Sequence, residues 1–316
     1  MPRAKDNSFG DQAYYNKCLR VFYSDKYSFP LPEGHRFPIE KYRLLREMLV
    51  ARGILSEKEL SEPEIATRDQ IILAHSEKYH DDFQNGSVEP SAIRRLGLPW
   101  SHQLYIRSAY SVGGAIASAL SALEDGIAGN LAGGTHHAFR DTCEGFCVFN
   151  DFAVVTEYLQ RSKLAERVAI IDLDVHQGNG NSAMLGSNEN AFIFSMHGKN
   201  NYPFKKVLST LDVGLEDGTD DEEYLSLLGI NLPAVFEFAP DIVLYIAGVD
   251  TLKEDSLGRL GMSKKGLMER DRMVMSECKR RGIPLSLGLG GGYSKPIEHT
   301  VEAYCGTYIV AKEVFG

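Results

Sequence analysis

Three residues at alternate positions, Asp172, Asp174 and His176 in "DLDVHQGNG", could share one divalent cation. Side chains on an extended strand alternate between its faces, so all three point the same way. Two carboxylates and an imidazole suit a metal such as zinc. A strand end with capping aspartates would show the same residues. Asp250 shifts the balance. It follows the largely apolar "YIAGV", where a buried carboxylate without a partner would be costly. With Asp174 and His176 it makes three protein ligands and leaves a position free, the layout of a catalytic zinc site. Asp172 is then better placed behind the ligands, orienting them. Taken alone, Asp250 would equally suit a cap on the following loop.

Two further groups could serve such a centre. His136 and His137 are adjacent in "GGTHHAF". In a turn, unlike a helix or strand, neighbouring side chains can both face a pocket. One could act as general base and acid, the other as a charge-tuned hydrogen-bond donor. Tyr293 ends "GLGGGY", and a phenol beside a metal can donate to a developing oxyanion. The glycines lack the GxGxxG spacing and the lysine of a phosphate cradle. They let the backbone approach the site and aim Tyr293 inward. Cys143 and Cys147 are four apart, but no second Cys/His pair follows at finger-like spacing, so they read as reduced packing residues.

These residues need a frame. The near-continuous apolar runs 167–175, 191–197, 241–250 and 283–293 read as strands buried on both faces. Shorter strands are expected at 20–24 and 130–134. Helical patterns cover 38–53, 108–126, 149–162, 221–238, 263–281 and 297–314. Strand-helix alternation predicts a parallel sheet covered on both sides, with function at the carboxyl ends of its strands. The candidate residues fall there. Asp172 to His176, Ser195 with His197, Asp250, Tyr293 and the His136–His137 pair each follow a different strand.

Composition sets the bounds. The chain has 316 residues, 43% hydrophobic and 24% charged, enough for one large α/β domain or two smaller ones. A net charge of −9 argues against nucleic acid as the main partner and is compatible with cationic substrates. Five cysteines without a CxxC pair do not form a disulfide framework. The start lacks the apolar run of a secretory signal, and no stretch approaches a membrane span. The expectation is a soluble cytoplasmic protein.

In order along the chain, "GGTHHAF", "GFCVFND", "IDLDVHQGNG", "FSMH", "GVDTLKEDSLGRL" and "LGGGY" resemble the histone deacetylase family of zinc-dependent acyl-lysine amidohydrolases. The resemblance runs over about residues 20–310. It implies a single arginase/deacetylase-like α/β domain over 1–316, with an eight-stranded parallel sheet and helices on both faces. It implies that Asp174, His176 and Asp250 hold zinc, with ferrous iron the alternative metal. His136 and His137 match the tandem histidines, Asp172 the aspartate paired with the first, and Tyr293 the carbonyl-polarising tyrosine. Gly145 and Phe146 match the floor and wall of an acyl-lysine tunnel. Tyr202 or Phe204 would form the opposite wall, and Leu257 and Gly291 would complete it. Asp172 and Ser195 match ligands of a structural potassium ion.

The implied substrate is an acyl-lysine in a protein or peptide. Rivals are an acetylpolyamine or other small acyl-amine deacetylase and a non-catalytic acyl-lysine binder. An arginase-like dimanganese site is disfavoured because Gly178 stands where DxHxD would supply a carboxylate. Two departures accompany the resemblance. Asn179 replaces the class I aspartate behind the second histidine, and "HQGNG" looks most like the class IV branch. Residues 90–105 offer no counterpart of the class I aspartate that grips the substrate backbone.

Overall fold

The computed structural model describes residues 19–316. The segment read as lacking a secretory signal lies outside them. In chain order the elements are β1 (Arg20–Phe22), α1 (Lys41–Ala51), β2 (Leu60–Ser61), α2 (Arg68–Ile71), α3 (Glu77–Asn85) and α4 (Pro90–Leu96). Next come α5 (His102–Asp125), β3 (Ile127–Asn130), α6 (Asp151–Arg161), β4 (Val168–Asp172), α7 (Asn179–Leu185) and β5 (Ala191–Gly198). The chain ends with β6 (Leu211–Leu215), α8 (Asp221–Glu237), β7 (Ile242–Gly248), α9 (Lys264–Arg281), β8 (Leu285–Gly290) and α10 (Glu298–Phe315).

The strands form one eight-stranded sheet in the order β2-β1-β3-β8-β7-β4-β5-β6, and every pairing is parallel. This is the α/β architecture expected. The five strands followed by candidate residues, β3, β8, β7, β4 and β5, are consecutive neighbours. Their carboxyl ends therefore meet along one edge.

Strand alternation divides the core. Ala169, Ile171, Val243 and Tyr245 join one apolar cluster with residues of α1, α8, α9 and α10. Val168, Ile170, Ile242 and Leu244 join another with residues of α3 to α6. A central strand buried on both faces cannot show polar alternation, which is why these runs read as continuous.

The differences from expectation lie at boundaries and in weak elements. α1 starts at Lys41 rather than Pro38, and β3 ends at Asn130, so 131–134 is irregular backbone beyond the strand. α5 begins six residues earlier than 108, at His102, capped by the Ser101 side chain on Leu104 N. The two-residue β2 and the partly exposed β6, "LDVGL", carry little apolar signal.

His75 ties the loop before α6 into this frame. Its Nδ1 lies 3.2 Å from Arg140 O, and its Nε2 accepts from Asn150 N at 2.9 Å. Nε2 must therefore stay unprotonated, and burial pulls the imidazole down from 6.5 to about 4. The unfolded chain takes up this proton near pH 6.5, the folded one only near pH 4. Stability is therefore lost as pH falls between those values, by about 3 kcal/mol at full titration. In metal-free protein His75→Gln, which keeps a donor and an acceptor, should flatten the wild-type loss of denaturation midpoint between pH 7 and 4.5. An unchanged slope would contradict this role.

Candidate active site

The segment after β4 keeps the strand's alternation. Leu173 and Val175 stay in the apolar core, while Asp174 and His176 turn to the opposite side. Leu173 N still donates to Ile246 O of β7 at 3.1 Å, which brings Asp174 beside the residue that ends β7's extension, Asp250. His176 Nδ1 lies 2.9 Å from Asp174 Oδ1 and 3.0 Å from Asp250 Oδ2. One ligand atom from each of the three lies within 4.8 Å of the others. Backbone amides fix the carboxylates: His176 N donates to Asp174 Oδ1 at 2.8 Å and Val175 N to Asp250 Oδ1 at 2.9 Å.

The electrostatics of this triad ask for a cation. Burial raises the Asp250 carboxyl, and the Asp174 charge raises it further. Burial also opposes ionisation of Asp174, but the charge of His136 and the hydrogen bonds of His176 hold it below its ordinary value. Two buried carboxylates facing one imidazole nitrogen are satisfied by a proton on that nitrogen or by a divalent cation. An N/O/O donor set of this compactness fits zinc. Among the described residues no other such group occurs.

His136 and His137 leave the turn after β3 with ring centroids 4.1 Å apart. His136 Nδ1 pairs with Asp172 Oδ2 at 2.7 Å, and Asp172 Oδ1 accepts from Asp174 N at 3.2 Å. Burial alone would lower the His136 imidazole, but Asp172 and then Asp174 outweigh it and push it up to about 9. His137 differs. Its Nδ1 lies 2.7 Å from Asn179 Oδ1 at the start of α7. Burial, then the charges of His136 and His176, hold it well below its ordinary value. An amide oxygen accepts, so Nδ1 carries the hydrogen and Nε2 is left as the basic nitrogen.

The walls come from two loops. Bridges Phe139–Thr142 and Glu144–Cys147 fold 138–150 into tight turns with Gly145 and Phe146 at a tip. Gly145 N donates to Arg95 O and Phe146 N to Leu96 O, which moors the tip on the end of α4. Gly145 has φ +54°, and a Cβ there would come 2.6 Å from His137 Cδ2, so any side chain would displace the ring. Tyr202 stands across from this tip, its ring centroid 5.0 Å from that of His137, and its hydroxyl donates to Glu144 Oε1. Phe204 is 86% exposed and lies at the rim, so of the two aromatics Tyr202 is the inner wall. Gln177 Nε2 donates to Val207 O and Asp212 Oδ1, both at 2.8 Å, and so anchors the Tyr202 loop.

Tyr293 borders the same cavity of about 370 Å³ as Asp174, His176 and Asp250. Burial raises its phenol well above 10, and Asp174 and Asp250 are near enough to raise it further, so it stays an O–H donor. Its backbone N–H donates to Asp255 Oδ2 at 2.6 Å, and Asp255 Oδ1 accepts from Leu257 N and Gly258 N. Asp255 thus ties the loop after β8 to the one carrying Leu257. Leu257 and Gly291 also line the cavity, and Gly291 O accepts from Lys41 Nζ at 2.5 Å. Cys143 and Cys147 are buried, free thiols, and burial raises both. Ser195 is paired in register with Asp172 on the neighbouring β5, and its Oγ lies 3.0 Å from His197 Nδ1.

The structure thus places His136, His137, Gly145, Phe146, Asp174, His176, Tyr202, Asp250, Leu257, Gly291 and Tyr293 around one cavity with Phe204 at its rim, sets Asp172 and Asn179 behind the two histidines, and leaves Ser195 outside the cavity lining. Sequence reasoning missed Asp255, Gln177 and the cations of the cavity: Arg36, Lys41, Arg95, Arg107 and Arg259. Asp255 and Gln177 sit inside motifs that were recognised, one residue type away from notice. The cations come from separate segments with no shared pattern.

Comparison with known proteins agrees with this geometry. Residues 35–308 match the histone deacetylase domain. The chain is 42% identical over 296 residues to an uncharacterized protein of Picosynechococcus sp., covering 93% of this chain and 99% of that protein. It is 34% identical over 292 residues to histone deacetylase 2 of Arabidopsis thaliana, covering 88% and 75%. Against the acetoin utilization protein AcuC of Staphylococcus xylosus it is 29% identical, covering 89% and 77%. Among solved structures, a histone deacetylase homolog complexed with SAHA superposes with TM-score 0.79 at 27% identity, covering 93% of this chain and 84% of that one. A homolog from Aquifex aeolicus gives 0.78 at 26% identity, covering 92% and 83%.

Proposed function

The chain belongs to the histone deacetylase family, and from that premise we propose that it is a zinc-dependent amidohydrolase that removes an acyl group from the side-chain amine of lysine. The observation that carries this reading is the convergence of the Asp174–His176–Asp250 triad, the His136–His137 pair and Tyr293 on one walled cavity. Zinc held by the triad would polarise the acyl carbonyl and activate water. His137 Nε2 takes the proton from the attacking water and returns one to the leaving amine. Asn179 fixes the tautomer that leaves Nε2 free. His136, charged and tied to Asp172, stabilises negative charge beside it. Tyr293 donates its O–H to the tetrahedral oxyanion. Phe146 and Tyr202 hold an extended aliphatic chain between them.

The same reading extends to two finer points. Asp172 and Ser195, adjacent on β4 and β5, fit a structural potassium ion, which would balance a carboxylate whose pKa burial raises. The stretch "HQGNG", which sets Asn179 behind His137, resembles the class IV branch. No helix among the described residues is long and apolar enough to cross a membrane. With its buried free thiols the chain suits a reducing, cytoplasmic setting.

Chelation should abolish hydrolysis of an acetyl-lysine peptide, and one equivalent of zinc should restore it. Tyr293→Phe should lower kcat by about 10²- to 10³-fold, the usual cost of one oxyanion donor, with zinc content unchanged. Full activity in either chelated or Tyr293→Phe protein would sink the proposal.

A further inference from the structure

Resting on the reading above, the geometry points to the charge of the substrate: we infer that the acyl-amine taken by this cavity carries a carboxylate on its amine carrier, read by Arg36, Arg95 and Arg259 at the mouth. All three border the cavity and all three are exposed. Among the described residues the only carboxylates that border it are Asp174 and Asp250, whose charges the metal would balance. Lys41 and Arg107 lie deeper. The mouth is therefore cationic on a chain whose net charge is −9. Overall acidity admitted a cationic substrate; the local field opposes one.

The three arginines are held by separate parts of the fold. Arg36 lies over the Phe146 ring, 4.9 Å from its centroid. Arg95 lies in the last turn of α4. Its Nη2 donates to Thr142 Oγ1 at 3.1 Å, and its carbonyl holds Gly145 N. Among the described residues neither has a carboxylate within 4.0 Å. Arg259 stands on the Leu257 side, with Asp217 Oδ2 3.3 Å from its Nη1. The other acid nearby, Glu144, accepts from Tyr202, and Arg95 is near enough to lower its carboxyl, although burial raises it overall. Two of three mouth cations are thus left to a ligand. Guanidinium matches carboxylate in a forked geometry. A polyamine or a lysine-rich tail would meet like charge, which selects against it.

Two arms distinguish the source of the carboxylate. One compares an Nα-blocked acetyl-lysine bearing a free α-carboxylate with its amide, alongside acetylputrescine. The other compares acetyl-lysine peptides flanked by Glu, Gln or Lys. Each is run on zinc-loaded full-length protein, for kcat/KM and for direct binding. Acidic ligands should exceed basic ones by about tenfold at low salt, with the gap narrowing at high salt. The arm with the larger ratio names the source. In Arg36→Glu and Arg95→Glu the acidic-to-basic ratio should fall toward or below one. Equal binding and turnover of acidic and basic ligands, or a basic preference, overturns the inference. An acidic preference in binding with no turnover of any ligand keeps this inference and overturns the hydrolase reading instead.

Discussion

His137→Ala lowers kcat on an acetyl-lysine peptide by about 10²- to 10⁴-fold, with KM changed only a few-fold, the range for loss of a general acid–base group. The argument is geometric. Two imidazoles stand side by side, but their Nδ1 partners differ. Asp172 is a buried carboxylate that holds His136 charged, so His136 has no lone pair to offer. Asn179 is an amide, and burial with the charged His136 beside it keeps His137 neutral. Only His137 can take a proton without first giving one up. Asn179→Ala should cost less, on the order of tenfold, because it frees the tautomer without removing the base. The check is steady-state kinetics with zinc content measured on the same samples. If His137→Ala kept wild-type kcat while His136→Ala abolished it, the roles would be reversed.

How much of this could be read from the chain depended on whether a residue's signal was local. Asp172, Asp174 and His176 share one strand end, so their spacing alone placed them on one side. Asp250 and Tyr293 each follow a strand whose apolar run is long enough to recognise, and the consecutive order of β3, β8, β7, β4 and β5 explains why their ends meet. The eight-strand count came from the resemblance. β2 has two residues and β6 is interrupted by Asp212 and Gly214, so neither carries a pattern of its own. The mouth cations were illegible for a different reason. Arg36 precedes α1, Arg95 ends α4 and Arg259 lies in the loop after β7. An exposed arginine is the commonest surface residue to ignore, and only the folded chain brings these to one opening. The net charge of the whole chain carries no information on the sign of the mouth, since it sums a surface that a substrate never visits.

Arg270→Ala is expected to destabilise the fold by about 3–5 kcal/mol, the cost of stripping one partner from a buried ion pair. Arg270 and Asp271 on α9 are both fully buried. Arg270 Nε and Nη2 donate to Asp271 Oδ1 at 2.9 and 2.8 Å. Tyr245 Oη and Thr307 Oγ1 donate to the same carboxylate at 2.5 and 2.7 Å. Nη1 reaches Gly248 O at 2.5 Å and Leu173 O at 3.3 Å. Those carbonyls lie at the ends of β7 and β4, two residues before Asp250 and one before Asp174. One guanidinium therefore fastens together the two strand ends that carry the triad. Two consequences separate this role from generic packing. Arg270→Met with Asp271→Leu, which removes both charges, should recover much of the stability, because no buried charge is left unpaired. Zinc affinity should stay about 10-fold or more below wild type in that double variant, because the strand ends have lost their shared donor. Denaturant midpoints and competitive zinc titration on the folded proteins give the two numbers. Wild-type zinc affinity in the double variant would show that α9 only fills space beneath the site. A loss in affinity at restored stability would show that a residue remote from the cavity sets the spacing of its ligands.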